Sequence, residues 1–289
     1  SDSAFTVTLD FVDSHKHQDS LKKALDSLNL EQYDLVLGPL YSKRVQQIAD
    51  YGVANKSVNL MSKSPGISDL GMYNAVVAEE DFYLSLRELI NDRGAKDSNR
   101  IPVLVTKSRT AVCDSFFEGF THPDKLLVSN GEKWESNESL ARLRTDVHYE
   151  LVIYDNDPAF ILDALRNLRM GKASYSLYAT EYQLFNSGIT NDNFMREAEV
   201  ICAMSSYLSY QDSKTLLFVE AFRAHFGVEP NLYAIRGYDI ADYHIIRKCY
   251  GDGPMRGIYL GFDHSQGKQN KWVELRRFDN FEWSILEQL

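Results

Sequence analysis

Apolar positions along this chain follow two alternating periods. Short runs in which every second side chain is apolar, such as residues 5–11, precede stretches in which apolar residues recur at helical spacing, such as residues 21–28. The first period is typical of strands and the second of amphipathic helices. Up to residue 93 the pattern predicts further strands at 34–38, 58–62 and 74–78 and further helices at 45–54 and 82–93. Alternating strands and helices favour a mainly parallel sheet covered by helices.

A second series follows the polar segment 93–100, in which Gly94 is predicted to end a helix. Strands are predicted at 101–107, 126–129, 150–155, 174–179 and 200–204, and helices at 111–120, 138–145 and 159–169. Residues 214–250 then show helical spacing interrupted by Gly227 and Pro230, which predicts two consecutive helices. The tail is predicted to form a hairpin of residues 257–262 and 271–277 around a turn at 265–268.

These patterns predict an α/β protein with two doubly wound, parallel-sheet lobes. A chain of 289 residues is long for one core and sufficient for two. We expect residues 1–99 and 206–252 to form one lobe, and residues 100–205 and 253–289 to form the other. The crossings, expected near residues 93–101, 204–207 and 252–256, would act as hinges.

Composition excludes several classes of partner and site. The formal net charge of −10 repels phosphate backbones, so nucleic acid is not an expected partner. The longest apolar runs are shorter than the about 20 residues of a membrane-spanning helix, so no direct membrane insertion is expected. The three cysteines form no CxxC pair, and His15 and His17 have no further ligand spaced nearby. We therefore predict no metal and no cofactor.

Three stretches carry a resemblance in their order along the chain. They are residues 33–42 (YDLVLGPLYS), 58–65 (VNLMSKSP) and 222–239 (FRAHFGVEPNLYAIRGYD). Together they resemble the type I periplasmic (substrate-binding) protein family. The last stretch and the tail around Trp283 are closest in style to Bacteroidetes envelope proteins that carry this fold beside peptidoglycan-binding lysin motifs. The family begins with a strand and a long helix ahead of the stretch that residues 5–13 resemble, and we expect this first strand-helix unit to be missing here.

The resemblance implies a binding protein and no enzyme. It favours capture of a small polar, amino-acid-like solute in a cleft between two lobes, with a membrane transporter or an envelope protein as partner. The implied location is the periplasm or cell envelope, with a lipid anchor in the full-length precursor. The alternative is an envelope interaction or scaffold module that keeps the fold without a small-ligand site. Motifs typical of hydrolases, P-loops and dinucleotide sites do not occur in the sequence.

Candidate ligand contacts follow strands, because ligands of this architecture bind outside the carboxyl ends of parallel strands. Ser42, Ser62, Lys63 and Ser64 are expected to hold an acidic group, and Glu181 and Tyr182 an amine or a side chain. Each has a structural alternative: a helix cap for Ser42, a solvated turn for residues 62–64, and a capping glutamate with a packed tyrosine for residues 181–182. Asp155 or Asp157 is expected to cap a helix, and Asp239 to be structural.

Overall fold

The computed structural model describes residues 6–13, 18–40, 44–63, 66–108, 110–121, 125–128, 143–186, 195, 198–251 and 253–286. The chain divides into two compact units. Unit 1 contains Ser1–Ala78 and Leu208–Lys271, and unit 2 contains Glu79–Tyr207 and Trp272–Leu289. Each unit is therefore built from two segments that are distant in sequence. All three boundaries differ from the predicted ones, because residues 79–99 and 206–207 belong to unit 2 and residues 253–271 to unit 1.

The regular elements of the described residues alternate as the sequence pattern predicts. The helices are α1 (Gln18–Asp26), α2 (Val45–Asp50), α3 (Glu79–Lys96), α4 (Ala111–Glu118), α5 (Pro158–Met170), α6 (Glu181–Asn186), α7 (Ser213–Phe226) and α8 (Leu232–Tyr250). The strands are β1 (Val36–Leu37), β2 (Ser57–Asn59), β3 (Tyr73–Asn74), β4 (Arg100–Thr106), β5 (Lys125–Val128), β6 (His148–Ile153), β7 (Ser174–Thr180), β8 (Val200–Met204), β9 (Met255–Arg256), β10 (Gly261–Phe262), β11 (Glu274–Asp279) and β12 (Glu282–Ile285). Most of the predicted helix at 138–145 lies outside the described residues.

Unit 2 is organised around a seven-stranded sheet in the order β12-β11-β8-β7-β6-β4-β5. The neighbours from β5 to β8 are parallel, while β11 runs antiparallel to both β8 and β12. The register aligns Val103, Leu151 and Leu177, which are all fully buried. Continuous apolar strands of this kind are typical of parallel sheets that are covered on both faces. The predicted α/β class with parallel sheets is confirmed.

Helix α3 belongs to unit 2 because its apolar face lies against that sheet. Phe82, Leu86 and Ile90 are buried, and the helix contacts β4, β7 and β8. Gly94 does not end the helix, contrary to the prediction. It lies inside α3, which continues to Lys96. A single glycine costs a helix interior only about 1 kcal/mol, which packing of the rest of the helix outweighs.

Unit 1 contains a three-stranded parallel sheet in the order β1-β2-β3. Val58 of β2 packs with Ile240 and Tyr243 of α8 and with Leu260 and Phe262 near β10 in one apolar cluster. The rings of Tyr243 and Phe262 stack with their centroids 4.6 Å apart. This cluster places the segment after residue 252 in unit 1.

The predicted terminal hairpin is wrong. Strand β10 pairs with β9, whereas β11 pairs with β8 and β12. The observed hairpin between β11 and β12 turns through Asn280 and Phe281, whose φ values of 49° and 65° are those of a tight two-residue turn. The predicted turn at 265–268 instead connects β10 to the segment leading into β11, which ends in the other unit.

The predicted first strand is also wrong for the residues that the structure describes. Residues 6–13 form no strand, and Leu9 and Phe11 are 62% and 92% exposed. Residues 6–13 pair with no strand among the described residues, and their exposed apolar side chains gain none of the burial that stabilises a strand. The Tyr33 hydroxyl donates to the Asp10 carboxylate at 2.6 Å, and this bond connects the segment to the rest of the unit.

Asp239 has the structural role that its sequence position suggests. Its carboxylate is fully buried and accepts hydrogen bonds from the backbone amides of Ile258, Tyr259 and Leu260 at 2.7–2.8 Å. Burial raises the pKa of this carboxyl group, although the three amide bonds oppose the change. Asp239 therefore fixes the chain between β9 and β10 onto α8.

Substitution Asp239→Asn should destabilise the protein by about 2–4 kcal/mol, because it removes a charged acceptor from three buried donors. Equilibrium unfolding in urea, followed by circular dichroism, measures the change. Asp242→Asn on the same helix is the matched control and should shift stability by less than about 0.5 kcal/mol. Equal effects of the two substitutions would show that the amide contacts of Asp239 contribute little.

A buried histidine makes unit 1 sensitive to acid. His244 is fully buried, neither ring nitrogen has a hydrogen-bond partner among the described residues, and the rings of Tyr73 and Tyr243 contact it. Burial, with Arg247 next, lowers the pKa of His244 to about 2. In the unfolded chain the imidazole titrates near its ordinary value of about 6.5. Its contribution to stability is therefore complete above pH 6.5 and declines as the pH falls below that value.

The free energy of unfolding should fall by about 2 kcal/mol between pH 6.5 and pH 5 through this one group. In the variant His244→Phe, which does not titrate, the fall should be smaller by that amount. Urea unfolding at pH 7, 6 and 5 measures, for both proteins, the slope of the free energy of unfolding against pH. The exposed His225, substituted in the same way, should leave the slope unchanged, and identical slopes for all three proteins would contradict the assignment.

Candidate functional site

The parallel strands of unit 2 end at a common edge, where polar side chains collect. We call this the carboxyl edge of unit 2 and define it as residues 107–108, 154–157, 181–182 and 205–207, which follow β4, β6, β7 and β8. Loops at such an edge are the usual ligand contacts of doubly wound sheets. The predicted residues Glu181 and Tyr182 lie here.

The buried side chain of Gln183 holds this edge in place. Its Oε1 accepts a hydrogen bond from the Thr180 amide at 2.9 Å. Its Nε2 lies 2.7 Å and 2.6 Å from the carbonyl oxygens of Ile153 and Asp155, and 3.0 Å from the Tyr83 hydroxyl. One amide therefore ties the end of β7 to the end of β6 and to α3. Sequence reasoning missed Gln183, whose only local signal is a polar residue beside the apolar Leu184 in a short helix.

Glu181 is already engaged within unit 2. Its carboxylate accepts hydrogen bonds from the Ser205 amide at 2.9 Å, from the Ser205 hydroxyl at 3.0 Å and from the Ser206 hydroxyl at 3.1 Å. These contacts fix the loop after β8. Tyr182, which follows it in α6, is 41% exposed. The Glu181 carboxylate is therefore occupied by contacts within unit 2, whereas the Tyr182 side chain is accessible to solvent.

Acceptor groups dominate the segment after β6. The side-chain Nδ2 of Asn156 donates to the Glu79 carboxylate, while its Oδ1 is buried and has no hydrogen-bond partner in the part of the chain that the structure describes. Asp157 accepts from the Ala159 amide at 2.9 Å and so caps α5, as predicted. Lys107 pairs with Asp157 and is the main cause of the lowered pKa of that carboxyl group. The unsatisfied Asn156 oxygen is the group here that still lacks a donor.

In unit 1 the corresponding edge follows β2. The Asn59 side chain donates to the Ser62 carbonyl oxygen at 2.8 Å and accepts from the Ser62 amide at 3.1 Å, which closes a tight turn. Ser62 is buried and Lys63 is exposed. These two predicted residues are thus neighbours on one loop held by Asn59. Ser42 and Ser64 lie outside the described residues.

A chain of side-chain amides extends from Asn59 across the end of the sheet. Asn59 Nδ2 also donates to Asn74 Oδ1 at 2.7 Å, and Asn74 Nδ2 donates to Gln269 Oε1 at 3.0 Å. Gln269 in turn donates to the Val76 carbonyl oxygen at 2.6 Å. The network joins residues almost 200 positions apart, and no local sequence pattern reveals it.

Other kinds of site find less support in the part of the chain that the structure describes. No group of three or more His, Cys, Asp or Glu side chains there is arranged to hold a metal ion. Cys113 and Cys202 are buried, and burial raises the pKa of the Cys202 thiol well above its ordinary value. No helix among the described residues is both long and apolar enough to cross a membrane.

Comparison with known proteins assigns the fold. No family model matches the sequence, and no curated protein matches it. Solved structures do match, and their fold is that of type I periplasmic binding proteins. The α/β chain described here therefore has a type I periplasmic-binding-protein-like fold, with its parallel sheets in two units.

Three solved structures illustrate the likeness. An ABC transporter substrate-binding protein from Desulfitobacterium hafniense in complex with Leu is 16% identical, with a TM-score of 0.51 over 88% of this chain and 80% of that one. A protein from Rhodospirillum rubrum assigned to branched-chain amino acid ABC transport is 12% identical, with a TM-score of 0.66 over 95% and 86%. A periplasmic ligand-binding protein of a branched-chain amino acid ABC transporter from Burkholderia xenovorans is 12% identical, with a TM-score of 0.51 over 92% and 80%. At these identities the likeness concerns the fold alone.

A substitution of Glu181 tests whether its contacts hold the loop of residues 205–207. In Glu181→Gln one carboxylate oxygen becomes an NH₂ group, so at least one of the three donors in residues 205–206 loses its acceptor. Amide hydrogen exchange of residues 205–207 should accelerate about tenfold or more, which corresponds to about 1.4 kcal/mol. Glu220→Gln on the exposed face of α7 is the control and should leave this exchange unchanged. Unaltered exchange at 205–207 in Glu181→Gln would show that another contact holds the loop.

Proposed function

We propose that this protein captures a small polar, amino-acid-like solute and does not act on that solute as an enzyme. The observation that carries the proposal is the buried Asn156 Oδ1, which has no donor among the described residues and lies near the carboxylates of Glu79 and Asp155. A buried acceptor without a donor costs about 1–3 kcal/mol, and a ligand ammonium group would supply the missing donor. Carboxylates beside it would favour a cationic group over a neutral one.

The acidic end of the same solute is proposed to bind in unit 1 to Ser42, Ser62, Lys63 and Ser64. Hydroxyl groups, a lysine and backbone amides at a strand end are the donors that hold carboxylates in such sites. The turn fixed by Asn59 supports this role for Ser62 and Lys63, because it orders their loop without a ligand. Glu181 and Tyr182 are proposed to contact the amine or the side chain, with Tyr182 better placed by its exposure.

The fold supports a location and a partner for this activity. We propose that the protein works in the periplasm or cell envelope, held by a lipid anchor, and delivers its solute to a membrane transporter. The finer family assignment, to envelope proteins that pair this fold with lysin motifs, is part of this proposal and rests on the motif style of residues 237–240 and the tail. The rival function is an envelope scaffold without a small-ligand site, to which the exposed residues 6–13 lend support.

Binding of the twenty L-amino acids, screened by thermal shift and titrated by calorimetry, tests the proposal. The best binder is then compared with its α-hydroxy acid, which lacks the amine. Asn156→Ala should weaken binding of the amino acid about tenfold and leave the hydroxy acid unchanged. Asn167→Ala, on the exposed face of α5, should affect neither. Equal losses of affinity for the amino acid and the hydroxy acid would show that the ligand amine does not bind at Asn156.

The predicted acidic-end contacts have their own test. Ser42→Ala should weaken binding of the same amino acid by roughly tenfold or more, since a hydrogen bond to a charged group contributes about 1.5–3 kcal/mol. Glu181→Gln should do so only for a ligand with a cationic group. Calorimetric titration of both variants, with folding checked by circular dichroism, gives the answer. Unchanged affinity in both would favour the scaffold function.

A further inference from the structure

A second polar cluster lies at the opposite end of the unit 2 strands. It is formed where β4, β6 and β7 begin, and so is separate from the carboxyl edge and from the proposed solute contacts. Its members come from those three strands, from α3 and from the residue before β8: Arg93, Arg100, His148, Glu150, Ser174, Ser176, Tyr178 and Glu199. The proposed function uses none of them.

Four of these side chains form a continuous hydrogen-bonded relay. His148 Nδ1 lies 2.7 Å from the hydroxyl of Ser174, and His148 Nε2 lies 2.8 Å from the hydroxyl of Ser176. The Ser176 hydroxyl donates to the Glu199 carboxylate at 2.5 Å. Ser174 is exposed, His148 is half-buried and Ser176 is fully buried. The relay therefore runs from a solvent-accessible hydroxyl to a carboxylate.

The direction of each hydrogen bond follows from the chemistry of the chain. A carboxylate only accepts, so the Ser176 proton points to Glu199, and the Ser176 oxygen must accept from His148. Nε2 of His148 consequently carries the proton, and Nδ1 is left with a lone pair toward the Ser174 hydroxyl. Burial lowers the pKa of His148, which keeps the imidazole neutral near pH 7. This is the arrangement in which a histidine acts as general base toward a serine.

The remaining members hold Glu199 in position. Arg93 Nη1 lies 3.7 Å from the Glu199 carboxylate and donates to the Tyr178 hydroxyl at 2.9 Å. Tyr178 donates to the fully buried Glu150 at 2.6 Å, and Arg100 Nη1 pairs with Glu150 at 2.5 Å. Glu199 itself has φ of 42°, a left-handed conformation that is uncommon for residues other than glycine. Backbone strain of this kind persists where the surroundings over-determine it, and it concentrates at functional positions.

We propose that Ser174 is a nucleophilic serine that accepts acyl or phosphonyl groups from small activated esters. The Ser174 Oγ forms a bond to the acyl carbon or phosphorus atom, while its proton passes to His148 Nδ1. The bond from that centre to the leaving group breaks, and the leaving group takes the electron pair and then the proton. The product is an O-acyl or O-phosphonyl serine. Glu199 acts through Ser176 as a positioning residue.

Labelling with a fluorophosphonate probe tests the proposal, since attack on it forms the Oγ–P bond and releases fluoride. Peptide mass spectrometry should find the phosphonyl group on Ser174 in preference to other exposed serines such as Ser265 and Ser284. Ser174→Ala should abolish the labelling, and His148→Asn should slow it at least about 100-fold. Glu199→Gln should slow it less and shift its pH profile, which a purely structural role would not do.

Circular dichroism and amino-acid titration of each variant separate this proposal from the solute-binding one. Both properties should be unchanged in Ser174→Ala, because Ser174 lies at the other end of the strands. Labelling spread evenly over exposed serines, or an unchanged rate in a folded His148→Asn protein, would overturn the proposal. Neither result would bear on solute binding.

Discussion

Buried side-chain amides at the ends of parallel strands are the interaction on which the proposed site depends. Where a parallel strand ends, its backbone groups lose the partners that the ladder supplied, and a buried group without a partner is costly. Gln183 supplies those partners in unit 2, and Asn59 and Asn74 supply them in unit 1. The loops that follow are thereby ordered before any ligand binds, which lowers the entropic cost of binding.

Most of the fold follows from local pattern, and the failures share a physical cause. Short apolar runs correctly predict the parallel strands of unit 2, because both faces of that sheet are covered and each strand is a buried apolar run. Residues 6–13 carry an alternating pattern, which is also typical of strands, but no strand in the described chain pairs with them. The terminal hairpin fails for a related reason: β11 pairs with β8, about 70 residues away, and the pattern of one strand does not name its partner.

The site is less predictable than the fold. The rule that ligands bind at carboxyl ends selects Ser62, Lys63, Glu181 and Tyr182, and the structure places each just after a strand. It does not select Gln183, whose role comes from a contact with Tyr83 that lies 100 positions away, and it gives no sign that Asn156 bonds to Glu79, 77 positions away. It also gives no sign that Glu181 is engaged by Ser205 and Ser206. The sequence position shows which strand a residue follows, whereas the hydrogen-bond partners of its side chain depend on the packing of the whole unit.

The claim that this protein holds a small polar solute is tested most directly by native mass spectrometry of the purified protein. The account predicts a mass above that of the polypeptide, and release on denaturation of a small molecule carrying both an amine and a carboxylate. Acid should also release it, because His244 takes up a proton in the unfolded chain below about pH 6.5 and unit 1 thereby loses stability. A mass equal to the polypeptide alone, unchanged after incubation with amino acids, would contradict the account and leave the envelope scaffold as the better description.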